Sequence, residues 1–190
     1  MSNETLAWTP VATVQKYDDE QTEWAREKSG ILTPSGRVFD SLGMIPYETL
    51  VSEGNLVTTA GLNRLTALLI ASGATQALTN LATRLGTGNG AAGAVVGDTD
   101  LGATAGAANR WFQVMDATYP QQANGVLTVK ATFATGDGNY AWNEWGIDVG
   151  APTVSSSAVV SALLFNHKTS AALGTKTSGS WVLTATCTIS

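Results

Sequence analysis

Between Gly125 and Ile189 the chain reads as successive strands with almost no charge, and this run constrains the fold more than any other feature. Alternation is clearest at its end. Trp181, Leu183, Ala185, Cys187 and Ile189 fall on one side of a strand, and Val182, Thr184, Thr186 and Thr188 fall on the other. The pattern predicts strands at about 111–118, 126–135, 140–149, 158–167 and 181–189, with Leu81–Leu85 opening an earlier one. Asp137-Gly138-Asn139 supplies a hairpin turn between two of them. Turn signals recurring without intervening helices imply a mainly β fold, an antiparallel β-sandwich or jelly-roll-like barrel.

One helix interrupts the β pattern. Thr58 or Thr59 caps it, and Leu62, Leu65, Leu68 and Leu69 recur at helical spacing, predicting a helix over about 59–72 that packs an apolar stripe on the sheet. Upstream, Pro34, Gly36, Gly43 and Pro46 punctuate the stretch from Gly30 to Val57, which predicts turns and short edge strands.

Charge divides the chain near residue 53. Residues 1–53 carry nine of the fifteen acids and four of the ten bases, leaving six of each for the remaining 137 residues. That division predicts an N-terminal arm or docking segment over 1–53 and a β-sandwich domain over 54–190. Trp8, Tyr17 and Trp24, spaced among polar residues of the arm, are its candidate docking anchors. A body so poor in charge suits a surface covered by neighbouring subunits, so self-association is expected. Net charge of −5 with singly scattered bases argues against nucleic-acid binding. The longest apolar runs are too short to span a bilayer, which gives no membrane partner. The single cysteine, Cys187, reads as core packing.

Few residue patterns suggest chemistry. Gly88-Asn-Gly90-Ala-Ala-Gly93 has the spacing of a dinucleotide fingerprint, but no helix follows to present its amides to a pyrophosphate. Asp98-Thr-Asp100 supplies far fewer oxygens than a calcium site needs, which leaves Asp98 a local turn-capping role. His167, the only histidine, reads as a surface residue at a strand end. Glu144 and Asp148 share a strand face with Tyr140 and Trp142, as a glycosidase cleft would require. Residues four apart on a strand are roughly 13 Å apart, however, too far for either hydrolytic geometry. Glu144 is therefore expected to be a buried structural acid paired with Arg110 or Lys176, and no catalytic set, cofactor or metal site is predicted.

The order of Asn55-Leu-Val-Thr-Thr-Ala-Gly61 before a helix, Gly86-Thr-Gly88, Asp98-Thr-Asp-Leu101, Arg110 opening a strand, and Trp142-Asn-Glu-Trp-Gly-Ile147 is similar to that of a known group. Over residues 54–190 the chain resembles small β-sandwich virion structural proteins of tailed bacteriophages, found as head decoration, fibre or tail-associated components. The resemblance implies a non-enzymatic, oligomeric accessory subunit made in the host bacterial cytoplasm and resident in the virion. Its partners would be a major capsid, connector or tail protein, reached through the N-terminal arm. The alternative is a receptor- or carbohydrate-binding module of a fibre tip, with Tyr140 and Trp142 as the glycan face.

Overall fold

The computed structural model describes residues 8–71, 77–150 and 163–189. The protein is mainly β, with two antiparallel five-stranded sheets packed as a sandwich. In chain order the elements are β1 (Trp8–Tyr17), α1 (Asp19–Ser29), α2 (Gly36–Ser41), β2 (Glu48–Glu53), β3 (Leu56–Val57), α3 (Thr59–Leu69) and β4 (Thr83–Gly88). There follow β5 (Arg110–Val114), β6 (Gln121–Ala123), β7 (Val126–Phe133), β8 (Glu144–Val149), β9 (Leu164–Lys168) and β10 (Ser180–Ile189). Sheet A runs β2-β1-β10-β7-β6, and sheet B runs β3-β9-β8-β4-β5.

The main core lies between the sheets. Val14, Val129, Ala131 and Leu183 come from sheet A and meet Leu85, Trp145, Ile147 and Phe165 from sheet B, all fully buried. Period-two alternation produces this arrangement directly, because every second residue of β7, β8 and β10 is apolar and turns inward. Trp142 closes one end of the core, edge-on to Phe133 and Trp181 with ring centroids 4.6 and 5.0 Å away. Cys187 is buried in this core as expected, and burial pushes its thiol up to about 12.

The arm expected over residues 1–53 is integral to the sandwich wherever it is described. β1 lies between β2 and β10, pairing with β10 from Trp8↔Ile189 to Tyr17↔Ser180. Pro10, Ala12 and Val14 are buried while Val11, Thr13 and Gln15 are half-buried, the period of a strand with one face on a core. Tyr17 is consequently a core residue, not a docking anchor: it is 1% exposed and stacks on Phe39 at 4.1 Å. Together with Ala25 and Val182 this pair makes a second, smaller core where α1 and α2 cover the outer face of sheet A. Trp24 remains exposed on α1, whereas the side chain of Trp8 lies outside the described part.

Two local expectations also change. The turn-rich stretch after Gly30 contains α2, which starts once Pro34 has passed, so its proline never sits inside the helix. Helix α3 is capped by Thr58 as predicted, but its leucine stripe is only partly covered. Leu65 reaches the main core, while Leu62 and Leu69 stay 53% and 85% exposed. The cause is the close approach at Gly61, where an added Cβ would lie 2.1 Å from the Phe165 carbonyl oxygen. The helix rests on β9 through this glycine, and the roll that this imposes turns Leu62 and Leu69 outward. Residue 72 of the predicted helix, and residues 158–162 of the strand predicted over 158–167, lie outside the described residues.

Candidate functional site on the outer face of sheet B

Trp145, Ile147 and Val149 take the inner face of β8, so the alternation sends Glu144 and Asp148 to the outer face. The register brings Arg84 and Gly88 of β4 beside them, pairing Arg84 with Asp148 and Gly88 with Glu144. Both acids are nonetheless fully buried, and over Glu144 the cover is the glycine-rich loop 89–109, which folds back onto this face. Leu101 from that loop packs on Phe112 and Leu164 in a small apolar cluster of its own.

On this face the charges pair internally. Asp148 is bonded to the Arg84 guanidinium and accepts from the Leu163 amide at 2.9 Å. Arg110 donates from Nη1 to Asp100 at 2.8 Å. Glu144 accepts from the amides of Gly102 and Ala103 at 2.8 and 2.7 Å, and from Gly90 at 3.2 Å. Its Oε2 also lies 2.8 Å from Nε2 of His167, whose Nδ1 is 2.6 Å from Oδ2 of Asp98. Asp98 in turn accepts from the Val95 amide at 2.8 Å, the local capping its sequence position suggests.

The partners assigned to Glu144 from sequence are therefore corrected. Arg110 belongs to Asp100. Lys176 sits at the turn after β7, donating to the carbonyls of Ala134 and Thr135 and to Oδ1 of Asn139. Burial pushes its amine down to about 8. Neither base reaches Glu144, because loop 89–109 has filled the space around the carboxylate with amides. His167 is likewise no surface residue, being 2% exposed.

Burial alone would raise the Glu144 carboxyl, but the His167 hydrogen bond, the two closest amides and the histidine charge hold it below the ordinary 4.5. Burial alone would lower the His167 imidazole, yet hydrogen bonds and charge from Glu144 and Asp98 hold it above 6.5. Both shifts describe one state, an imidazolium between two carboxylates.

This arrangement favours fastening over catalysis. An acid or base must reach the proton it transfers, and Glu144 has neither exposure nor an oxygen without a donor. Of the glycines with the fingerprint spacing only Gly90 donates its N–H to an anion, and that anion is the protein's own Glu144 carboxylate, which Gly102 and Ala103 hold more closely. A side chain at Gly88 or Gly90 would place Cβ 2.3 or 2.5 Å from Glu144 Oε1, so the loop closes only because these positions carry none.

The candidate glycan face is closed too. Trp142 is fully buried, and Tyr140, 7% exposed, donates its hydroxyl to the Thr87 carbonyl at 2.9 Å. Sugar stacking needs an open ring face, which these aromatics have spent on the core.

Sequence inspection missed a second buried carboxylate that fastens a covering element. Asp116 accepts from the Gly36 amide at 3.1 Å, and from the Thr132 amide and hydroxyl at 3.0 and 2.8 Å, tying the start of α2 to β7. An isolated Asp at a strand end carries no local sign of partners 80 and 16 residues away. No family model matches the chain, and no curated protein or solved structure is significantly similar to it.

Proposed function

We propose that the protein is a non-enzymatic structural component of a tailed-phage particle, an oligomeric accessory subunit of head, connector or tail. The observation that carries this reading is where the charge lies. Of the twelve acids and bases after residue 53, Arg84, Arg110, Asp116, Lys130, Glu144, Asp148 and Lys176 are buried, and the other five are half-buried. None is fully exposed. Every fully exposed charge among the described residues belongs to positions 18–53, as eight acids and three bases.

Over the same stretch after residue 53, Leu62, Leu69, Ile70, Leu81, Val95 and Val96 stand exposed. A lone soluble domain keeps charge dispersed over its surface, whereas an assembly subunit can leave a surface uncharged where neighbours cover it. The segment after β1 supplies the charged surface, with Trp24 exposed among Glu20, Glu23 and Glu27, and this is the side assigned to docking. The resemblance of residues 54–190 to phage β-sandwich subunits supports the particle as the setting.

Light scattering over a range of concentrations, combined with mass spectrometry of purified particles, tests the reading. Expected are self-associated species in solution and the intact chain in particles. A strict monomer at high concentration that is absent from particles would overturn it.

A further inference from the structure

We propose that Asp98, His167 and Glu144 form a proton-operated latch, which fastens loop 89–103 over sheet B while the imidazole is doubly protonated and loosens it when one proton leaves. The argument starts from donors and acceptors. Nδ1 and Nε2 of His167 each face a carboxylate oxygen, at 2.6 and 2.8 Å. A neutral imidazole has one N–H and can serve only one of them; the imidazolium serves both. Losing a proton leaves one buried carboxylate oxygen facing a nitrogen lone pair.

The two carboxylates sit on different bodies, which gives the proton a mechanical consequence. Glu144 and His167 belong to adjacent strands of sheet B, whereas Asp98 belongs to the covering loop. The loop is also held by three amides on Glu144, from Gly90, Gly102 and Ala103. Those contacts depend on the carboxylate that His167 orients. The contact with Asp98 and the set of amide contacts therefore both respond to the same ring.

Each element around the cluster carries charged groups. The loop brings Asp98 and Asp100, β4 brings Arg84, β5 brings Arg110, β8 brings Glu144 and Asp148, and β9 brings Lys168. Tyr140 adds a phenol close enough to feel the Glu144 charge, and α3, packed on β9, carries Arg64. Arg84 and Arg110 are engaged by Asp148 and Asp100, so the positive charge placed between Asp98 and Glu144 is that of His167.

The chain has one histidine, so its ring can be followed in the intact protein without assignment ambiguity. Nitrogen and carbon NMR shifts of His167 would be recorded against pH, beside exchange protection factors, corrected for intrinsic rates, of the Gly90, Gly102 and Ala103 amides. Expected is a ring titrating above 6.5, with at least tenfold loss of protection at the three amides along the same curve. The β10 amide of Leu183 should keep its protection throughout. In Asp98→Asn the ring midpoint and the loss of protection should move together to lower pH. A ring titrating at or below 6.5 would overturn the latch. So would loop protection that ignores the ring, a common loss that includes Leu183, or a midpoint unmoved in Asp98→Asn.

Discussion

Glu144 is a fully buried carboxylate, and its environment decides what its loss would do. Four donors converge on its two oxygens, so the site is built for the ionised form. In Glu144→Gln the amide nitrogen must face at least one N–H donor, and His167 loses its charge partner on the sheet. The expected cost is about 3–5 kcal/mol of unfolding free energy, the range for stripping one member from a buried charge pair. The pH dependence has a definite sign. Because the folded Glu144 carboxyl is held below 4.5, its contribution is complete above that value and is lost as pH falls through the lowered one. Because the folded His167 is held above 6.5, its contribution is complete below that value and is lost as pH rises through the raised one. Denaturant titrations should thus show the cluster contributing most between 4.5 and 6.5. Glu144→Gln should flatten both limbs, and a variant with the wild-type pH profile would refute the assignment. The buried acid was legible in the sequence as a carboxylate between aromatics. Its partners were not, because Asp98 and His167 lie 69 residues apart and meet only after loop 89–109 folds over the sheet.

Elements whose period matches their burial were the ones the sequence revealed. β7, β8 and β10 alternate because one face meets the core, and α3 announces itself through Thr58, whose hydroxyl accepts from the Gly61 amide at 2.9 Å. β1 alternates as well, but the charge boundary near residue 53 is a feature of composition, and composition does not report strand pairing. α2 escaped because it has six residues and its first fastening bond comes from Asp116, far along the chain. The roll of α3 was hidden for a related reason: leucine spacing gives an apolar stripe, but the contact that orients the helix is made by a glycine. This last point reverses an ordinary expectation. Gly→Ala inside a helix normally stabilises by about 1 kcal/mol through backbone entropy. At Gly61 the new Cβ would press on the Phe165 carbonyl, and a strand backbone atom has no rotamer through which to yield. Gly61→Ala should therefore lower the thermal midpoint. A rise would show that α3 does not rest on β9 through this residue.

The whole molecule separates its charge from its apolar surface, and that separation determines how an assembly should respond to salt. Among the described residues, fully exposed charge is confined to residues 18–53 with a large acidic excess, while the surface contributed after residue 53 presents leucine, isoleucine and valine without one fully exposed charge. Two copies meeting through their charged sides would oppose acid to acid, a repulsion relieved by salt since the Debye length is only about 8 Å at physiological ionic strength. Two copies meeting through the charge-poor surface after residue 53 would bury apolar area and oppose few like charges. Their affinity would hold steady in sodium chloride and rise in sulfate, which strengthens apolar burial. The second response is expected for self-association of this protein, measured as the midpoint concentration by light scattering or sedimentation at low and high salt. Docking to a partner through the acidic side should behave in the opposite way, weakening as chloride is raised because the attraction to a basic surface is screened. If self-association instead strengthens markedly in chloride alone, copies meet through residues 18–53, and the charge-poor surface is left for a different protein of the particle.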